Sequence, residues 1–314
     1  MAPSFLIVGS TGNTGKSVVE TLSNLLGTHA TFSGYRILAQ TRSANGPASQ
    51  QLAQLPHVKV VEKNWVEITT AWLREYNVVR AFIASHNQPN QFAEESTFHV
   101  AALNAGVEYV VRISTTAANV RPDCLAYYPR THWAIEALLS SPEFERLRWT
   151  SLQSNVFTQF CLAPAAELIK NHRKSGKQDV LRLIVSEDAP LGMIDSNDVG
   201  VFAAHLLTTE DITPHNKAKY ILNGPEDITG RQIVKMIEER IGTKVEDVSF
   251  KDITFLEGMA AGSQESRNVI MSIKHAVESA WEGKCTTSTT SKEVFEIAAP
   301  KHVPAEVLAT LLEE

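Results

Sequence analysis

The sequence predicts an α/β fold built on a doubly wound parallel sheet, followed by a smaller C-terminal α/β lobe. Three observations predict it. Short apolar runs alternate with helical patterns through the first half of the chain. Those runs are continuous rather than alternating, as parallel strands covered on both faces require. The first of them, Phe5 to Val8, leads directly into a glycine-rich turn, Gly9-Ser-Thr-Gly-Asn-Thr-Gly15.

The elements follow in order. After the first strand, residues 17–26 place Val18, Val19, Leu22, Leu25 and Leu26 at helical spacing. Residues 35–39, 58–61 and 78–84 are apolar enough for the second, third and fourth strands. Residues 92–105 carry a helical pattern that Gly106 stops. Residues 109–113 form the fifth strand, 132–139 a helix and 149–152 the sixth strand. Strands separated by helices imply βαβ units with right-handed crossovers. Beyond residue 155 the pattern loosens: strands are predicted at 180–185 and 220–222, helices at 228–241 and 269–281, and a polar Ser/Thr loop at 286–291. The chain divides into a doubly wound, Rossmann-type domain, residues 1–155, and a smaller substrate or partner lobe with returning sheet elements, residues 156–314.

The bulk composition narrows the function classes. The chain has 314 residues, 43% hydrophobic and 20% charged, which suffices to bury a sizeable core. A net charge of −6 and the lack of a long basic run give no nucleic-acid surface. Cys124, Cys161 and Cys285 are far apart and match neither a disulfide framework nor a metal spacing, so a reducing, cytoplasmic setting is expected. The first residues have no basic region followed by an apolar core, so a signal peptide is not expected. No apolar run reaches the ~18 residues a membrane span requires. Oligomeric state is not legible.

The glycine turn admits two phosphate-binding readings. Gly15-Lys16-Ser17 looks like the end of a nucleotide-triphosphate P-loop, but the glycine such a loop needs falls at Ser10. The third and fourth strands also end without an aspartate for magnesium. Gly9, Gly12 and Gly15 instead give Gly-x-x-Gly-x-x-Gly between a strand and a helix, the context of a dinucleotide loop. Gly9, Ser10, Thr11, Gly12, Asn13, Thr14 and Gly15 are then cofactor contacts, with the pyrophosphate over the helix start. Lys16 and Ser17 become first-turn helix residues.

The second strand ends in Gln40-Thr41-Arg42-Ser43, with no acid to accept a ribose 2′-hydroxyl. Arg42 can pair with a 2′-phosphate, and Thr41 and Ser43 can add hydroxyl donors. NADP(H) is therefore expected over NAD. Asn64 and Trp65 after the third strand are expected to border the adenine. Ala84, Ser85 and His86 end the fourth strand against the cofactor, although His86 reads equally as an ordinary loop residue.

Together, the glycine turn, the arginine after the second strand and Trp149-Thr-Ser-Leu-Gln-Ser-Asn155 resemble the NmrA-like proteins, atypical short-chain dehydrogenase/reductases. Met193-Ile-Asp-Ser-Asn-Asp-Val199 and Ile228-Thr-Gly-Arg-Gln232 fit that family's second half. The resemblance implies one of two functions. One is NADPH-dependent reduction of a carbonyl, imine or activated double bond of a small organic molecule. The other is a non-catalytic NADP(H)-binding redox sensor that acts through a protein partner. It also implies a Tyr-x-x-x-Lys pair with an upstream Ser or Thr. Here Tyr128 has His132 at the lysine position, and Ser114 and Thr115 end the fifth strand. Spacing of four along a helix puts Tyr128 and His132 on one face. Histidine is not a permanent cation, so the dyad is weaker than the lysine version. The competing reading has both side chains packing or binding cofactor without chemistry. Gln153, Asn155 and Phe157 are expected to border the nicotinamide and the substrate. Cys124 and Cys161 read as buried small side chains, Asp195 and Asp198 as caps of a helix over 199–207, and Glu94-Glu95 as a solvated helix face.

Overall fold

Nine strands run along the chain of the computed structural model, which describes residues 2–28 and 30–313. They are β1 (Ser4–Val8), β2 (Arg36–Thr41), β3 (Val58–Glu62), β4 (Val78–Ile83), β5 (Tyr109–Ile113), β6 (Arg148–Ser154), β7 (Leu181–Leu183), β8 (Ala218–Leu222) and β9 (Val248–Phe250). Seven form one sheet in the order β3-β2-β1-β4-β5-β6-β8, and every pairing in it is parallel. The order reverses between β1 and β4, which is where such sheets hold a ligand beyond the strands' carboxyl ends. β7 and β9 pair separately.

The helices are α1 (Asn13–Leu26), α2 (Pro47–Leu52), α3 (Thr70–Glu75), α4 (Gln91–Ala105), α5 (Tyr127–Leu139), α6 (Thr158–Ser175), α7 (Ser196–Thr208), α8 (Gly230–Ile241), α9 (Phe255–Gly262), α10 (Arg267–Met271), α11 (Glu278–Trp281), α12 (Lys292–Ala298) and α13 (Pro304–Glu313). Alternate side chains of one strand enter different cores. Phe5 and Ile7 of β1 meet α1 and α7 on one face, while Leu6 and Val8 meet α3, α4 and α5 on the other. A third core joins α6, α8, α13 and the small sheet. No described helix is long and apolar enough to cross a membrane.

The doubly wound sheet is as predicted, and several boundaries move. Helix α1 begins at Asn13, so Lys16 and Ser17 lie beyond its opening residues rather than starting it. Helix α5 begins at Tyr127, and Tyr128 and Pro129 form its first turn, where proline is tolerated. Gly106 stops α4 in the left-handed region, φ 84°. The single helix expected over 269–281 is broken into α10, a 3-10 turn (Ser272–Ala276) and α11. Tertiary contacts hold that break: Asn119 Nδ2 donates to Ala276 O at 2.7 Å, and Tyr127 N to Ser272 Oγ at 3.2 Å. The segment after residue 155 is shared between layers. β8, α7 and α12 belong to the sheet and its α1 face, and the remainder builds the smaller lobe.

One close approach ties the returning segment to the glycine turn. A Cβ on Gly200 of α7 would lie 2.6 Å from Ser17 Cβ and 2.7 Å from Thr14 O. Ser17 Oγ donates to Asn197 O at 2.8 Å across the same contact. Gly200→Val should therefore cost about 1–3 kcal/mol by overpacking. Urea unfolding would detect the loss; a variant as stable as the parent would show that the two helices separate freely.

Candidate functional site

The three glycines are required by backbone crowding. Gly9 has φ +77°, and a Cβ there would lie 3.1 Å from Ala84 O, at the point where β1 and β4 diverge. A Cβ on Gly15 would lie 2.1 Å from Gly9 O, so the turn closes on itself. Gln40 fastens it to β2 and β3: its Oε1 accepts from Gly9 N at 3.0 Å and its Nε2 donates to Lys63 O at 2.5 Å. Gly12, the N-cap of α1, supplies no side-chain hydrogen bond, so the opening N–H groups face the groove above.

That groove is about 720 Å³ and runs from Arg42 over the glycine turn to Tyr128 and Phe157. Arg42 is the only Lys, Arg, Asp or Glu among its described lining residues. Arg42 is exposed and makes no hydrogen bond or ion pair within the described residues. Trp65 and His86 line the groove together, with ring centroids 5.8 Å apart. His86 Nε2 meets Glu94 Oε2 at 2.5 Å.

A second cavity of about 680 Å³ opens beside the first. Tyr127, Phe160, Phe255, Met259 and Trp281 make it largely apolar, and Glu265 is its one charged described wall residue. The two cavities share Asn87, Thr116, Tyr128, Asn155, Val156 and Phe160. Tyr128 thus stands at their junction. Burial pushes its hydroxyl up to about 12, only partly offset by a hydrogen bond with Thr115.

Beneath the junction lies a buried polar network. Arg112 of β5, fully buried, donates from Nε to Glu95 Oε1 at 2.6 Å, from Nη1 to Ser151 Oγ at 3.0 Å and from Nη2 to His132 Nδ1 at 2.8 Å. Glu136 accepts from Ser114 Oγ at 2.9 Å, Ser151 Oγ at 2.6 Å and Gln153 Nε2 at 3.2 Å, and pairs with Lys219 Nζ at 3.2 Å. Burial pushes the Glu95 carboxyl up, but Arg112 and His99 outweigh it and hold it well below the usual range. Burial and then the Arg112 charge lower His132 to about 3, so the ring is neutral. Burial lowers His99 as well.

Several expected site residues are turned away from the groove. Ser10 is fully buried and donates to Gln40 O at 2.8 Å. Thr41 lines the groove, but its hydroxyl is bound within its own turn, to Ser43 and Ser49. Asn64 and Ser43 lie outside the lining; next to Ser43, Ala44 N donates to Glu62 Oε2 at 2.7 Å. Ser85 borders the groove while donating to Glu95 Oε2 at 2.6 Å. Ser114 lines it with its hydroxyl committed to Glu136. Gln153 points into the network rather than to the junction. His132 is the largest departure. It is on the sheet side of α5 and takes its bonds from Arg112 and to Asn87, so it does not pair with Tyr128. Asn155 does reach the junction, and its Nδ2 also clamps the smaller lobe through Gly192 O and Cys285 O, both at 3.0 Å. Thr11, Gly12, Asn13, Thr14, Ala84, Thr115 and Phe157 line the groove.

Glu94 and Glu95 are not a solvated face: Glu95 is 1% exposed and anchors Arg112. Asp195 caps α7 by accepting from Asn197 N at 2.6 Å, whereas Asp198 holds the C-terminal segment through Lys301 N and His302. All three cysteines are buried and free, and burial pushes Cys161 up to about 12. Sequence reasoning missed Asn87, Arg112, Glu136 and Phe160. An arginine within the apolar run 109–113 was a readable signal that a buried carboxylate must face it.

The model of the NmrA-like family matches residues 2–284. No curated protein matches the chain. Solved structures match over nearly its whole length. The NADPH-dependent quinone oxidoreductase from Escherichia coli, complexed with NADPH, is 19% identical, with TM-score 0.70 over 98% of this chain and 99% of that one. The triphenylmethane reductase from Citrobacter sp., complexed with NADP(H), is 19% identical, with TM-score 0.69 over 98% of this chain and 100% of that one. The UDP-glucuronic acid 4-epimerase from Bacillus cereus, complexed with UDP-glucuronic acid and NAD, is 13% identical, with TM-score 0.68 over 99% of this chain and 98% of that one. At these identities the likeness is one of fold.

The network has a pH signature. Groups whose folded pKa is depressed contribute stability above their unfolded value and lose it as pH falls. His99 and His132 start from 6.5 when unfolded and Glu95 from 4.5, so stability falls below about pH 6.5 and again below about pH 4.5. His302, raised beside Asp198, acts in the opposite sense. Urea unfolding should give a smaller free energy at pH 5 than at pH 7. His132→Gln should reduce that difference by about 2 kcal/mol. An unchanged difference would mean that the ring is not held neutral.

Proposed function

The chain belongs to the NmrA-like family, and from that premise we propose that it is an NADPH-binding oxidoreductase. It reduces a carbonyl, imine or activated double bond of a small, mainly apolar organic molecule. The observation that carries this reading is the junction: a groove with dinucleotide features opens, through a wall containing Tyr128, into an apolar cavity. Reduction by hydride transfer needs donor and acceptor in contact, and one shared wall allows it.

The residues present fit the cofactor. Backbone N–H groups at the start of α1 suit a pyrophosphate, and Arg42 suits a 2′-phosphate in a groove wall with no carboxylate among its described residues. NADPH, when bound, supplies the hydride. Thr11, Asn13 and Thr14 would flank its phosphates, Trp65 and His86 its adenine, and Asn155 and Phe157 its nicotinamide end, all from the wall of the one groove.

Tyr128 acts as a proton donor. Its hydroxyl is protonated at neutral pH, and an alkoxide left on the substrate is a stronger base than its phenolate. Almost no phenolate is present at neutral pH, so the group enters the cycle as a donor. The largely apolar wall suits an apolar molecule and, with Glu265 the one charged residue among its described lining, disfavours anionic substrates. Three buried, free cysteines agree with a cytoplasmic setting.

A second reading is supported by one observation. Among the described lining residues, neither cavity has a Lys or Arg near Tyr128, which deprives that hydroxyl of the cation efficient acid–base work uses. A redox sensor that binds NADP(H) and passes its state to a protein partner needs no such cation.

Nucleotide fluorescence titration separates these parts. Arg42→Ala should weaken NADPH binding about 10- to 100-fold while leaving NADH unchanged, as loss of a charged hydrogen bond predicts. Equal losses for both nucleotides would remove the 2′-phosphate assignment. Loss of NADPH absorbance against quinones, enones and ketones then tests turnover. Tyr128→Phe should lower kcat about 10²- to 10⁴-fold. Tight NADPH binding with no turnover, together with a partner whose binding depends on nucleotide state, would select the sensor.

A further inference from the structure

His132 was expected beside Tyr128, and its actual partners point to a different residue. Arg112 is a donor only, so His132 Nδ1, 2.8 Å from Nη2, must be the unprotonated ring nitrogen. A neutral imidazole then carries its proton on Nε2, which donates to Asn87 Oδ1 at 3.0 Å. Arg112 is itself fixed by Glu95 and Ser151. A single chain of hydrogen bonds therefore runs from the Glu95 carboxylate, through a guanidinium and an imidazole, to the Asn87 amide. The backbone of Asn87 is tied as well, because Tyr127 donates its hydroxyl to Asn87 O.

This arrangement leaves the Asn87 side chain one donor group without a partner among the described residues. Its Oδ1 and its carbonyl oxygen are taken, and its Nδ2 makes no hydrogen bond among the described residues. Asn87 also lines both cavities. We propose that Asn87 Nδ2 is the substrate-facing donor at the junction. It binds the oxygen or nitrogen on which negative charge grows during reduction, while Tyr128 supplies the proton. His132 is a positioning residue that prevents the amide from flipping. This inference rests on the reductase reading above and deepens it. A His at the lysine position is then not a weakened acid–base partner. It serves a second donor, on another loop, that a permanent cation would not orient in this way.

The protonation pattern is testable without any substrate. ¹⁵N NMR of the ring nitrogens should find His132 as the Nε2–H tautomer and neutral from pH 5 to 8. An Nδ1–H tautomer, or protonation in that range, overturns the positioning chain.

The donor role is tested with 1,4-naphthoquinone and NADPH. Asn87→Ala should lower kcat on the order of 10²-fold, the cost of removing one preorganised donor. KM for NADPH and its fluorescence-derived Kd should stay within about twofold. His132→Leu should lower kcat about tenfold, and His132→Gln, whose amide can accept from Arg112 and donate to Asn87, should recover most of it. Thermal unfolding of each variant separates these effects from loss of fold. Wild-type turnover with unchanged kcat in Asn87→Ala overturns this inference and leaves the reductase standing. If the wild type binds NADPH without turnover, the reductase reading fails, and calorimetry of naphthoquinone on the NADP⁺-loaded protein decides the rest. Asn87→Ala must then weaken binding about tenfold, and equal affinity overturns the donor role.

Discussion

A guanidinium with no access to water must find acceptors on every side, and Arg112 finds them in three different elements. Glu95 comes from α4, Ser151 from β6 and His132 from α5. The account of charge is balanced: Glu95 and Glu136 face Arg112 and Lys219. Removing one member of such a set leaves a buried charge unpaired, which is far costlier than never building it. The constraint therefore fixes how α4 and α5 sit on the sheet. Those helices, in turn, set where Ser85, Asn87, Ser114 and Tyr128 stand at its carboxyl edge. The junction of the two cavities is suspended from this pairing.

A second constraint is steric and acts on the opposite face. Gly9, Gly15 and Gly200 each stand where a side chain would meet backbone. Gly9 lets β1 turn beside Ala84, Gly15 closes the turn, and Gly200 lets α7 press on α1. The last contact matters for function. It makes a helix from the second half of the chain part of the support for the glycine-rich turn. The returning strand β8 does the same for β6, whose end carries Asn155. The smaller lobe is therefore coupled to the groove through the sheet as well as through its own loops.

The parts that were legible in the sequence share a short range. The strands from residue 4 to 154 followed from continuous apolar runs, and their ends moved by only one or two residues. The glycine turn and the place of Arg42 in the groove wall followed from spacing within a single βαβ unit. The misreadings have one cause. Glu94-Glu95 looked solvated because α4 has a mixed pattern and Glu95's partner sits seventeen positions on, in another element. His132 was correctly found at the lysine position, but its direction was not legible, because one face of α5 looks toward the groove and the adjoining face toward Arg112. The break in 269–281 was hidden for the same reason, since the Asn119 side chain and the Tyr127 backbone N–H hold it from other parts of the chain.

The sequence by itself determined the fold class, the family and the glycine-rich turn between β1 and α1, because sterics, periodicity and backbone freedom operate between near neighbours and repeat in every chain that has them. The tertiary structure alone decided which polar groups are free to act. A hydroxyl, amide or imidazole carries the same donors and acceptors wherever it stands. Whether it faces a ligand depends on which buried partner has already claimed it, and only the register of strands and helices brings that partner within reach. Tyr128 and Asn87 were left with open groups at the junction, and Ser10, Ser114, Gln153 and His132 were not.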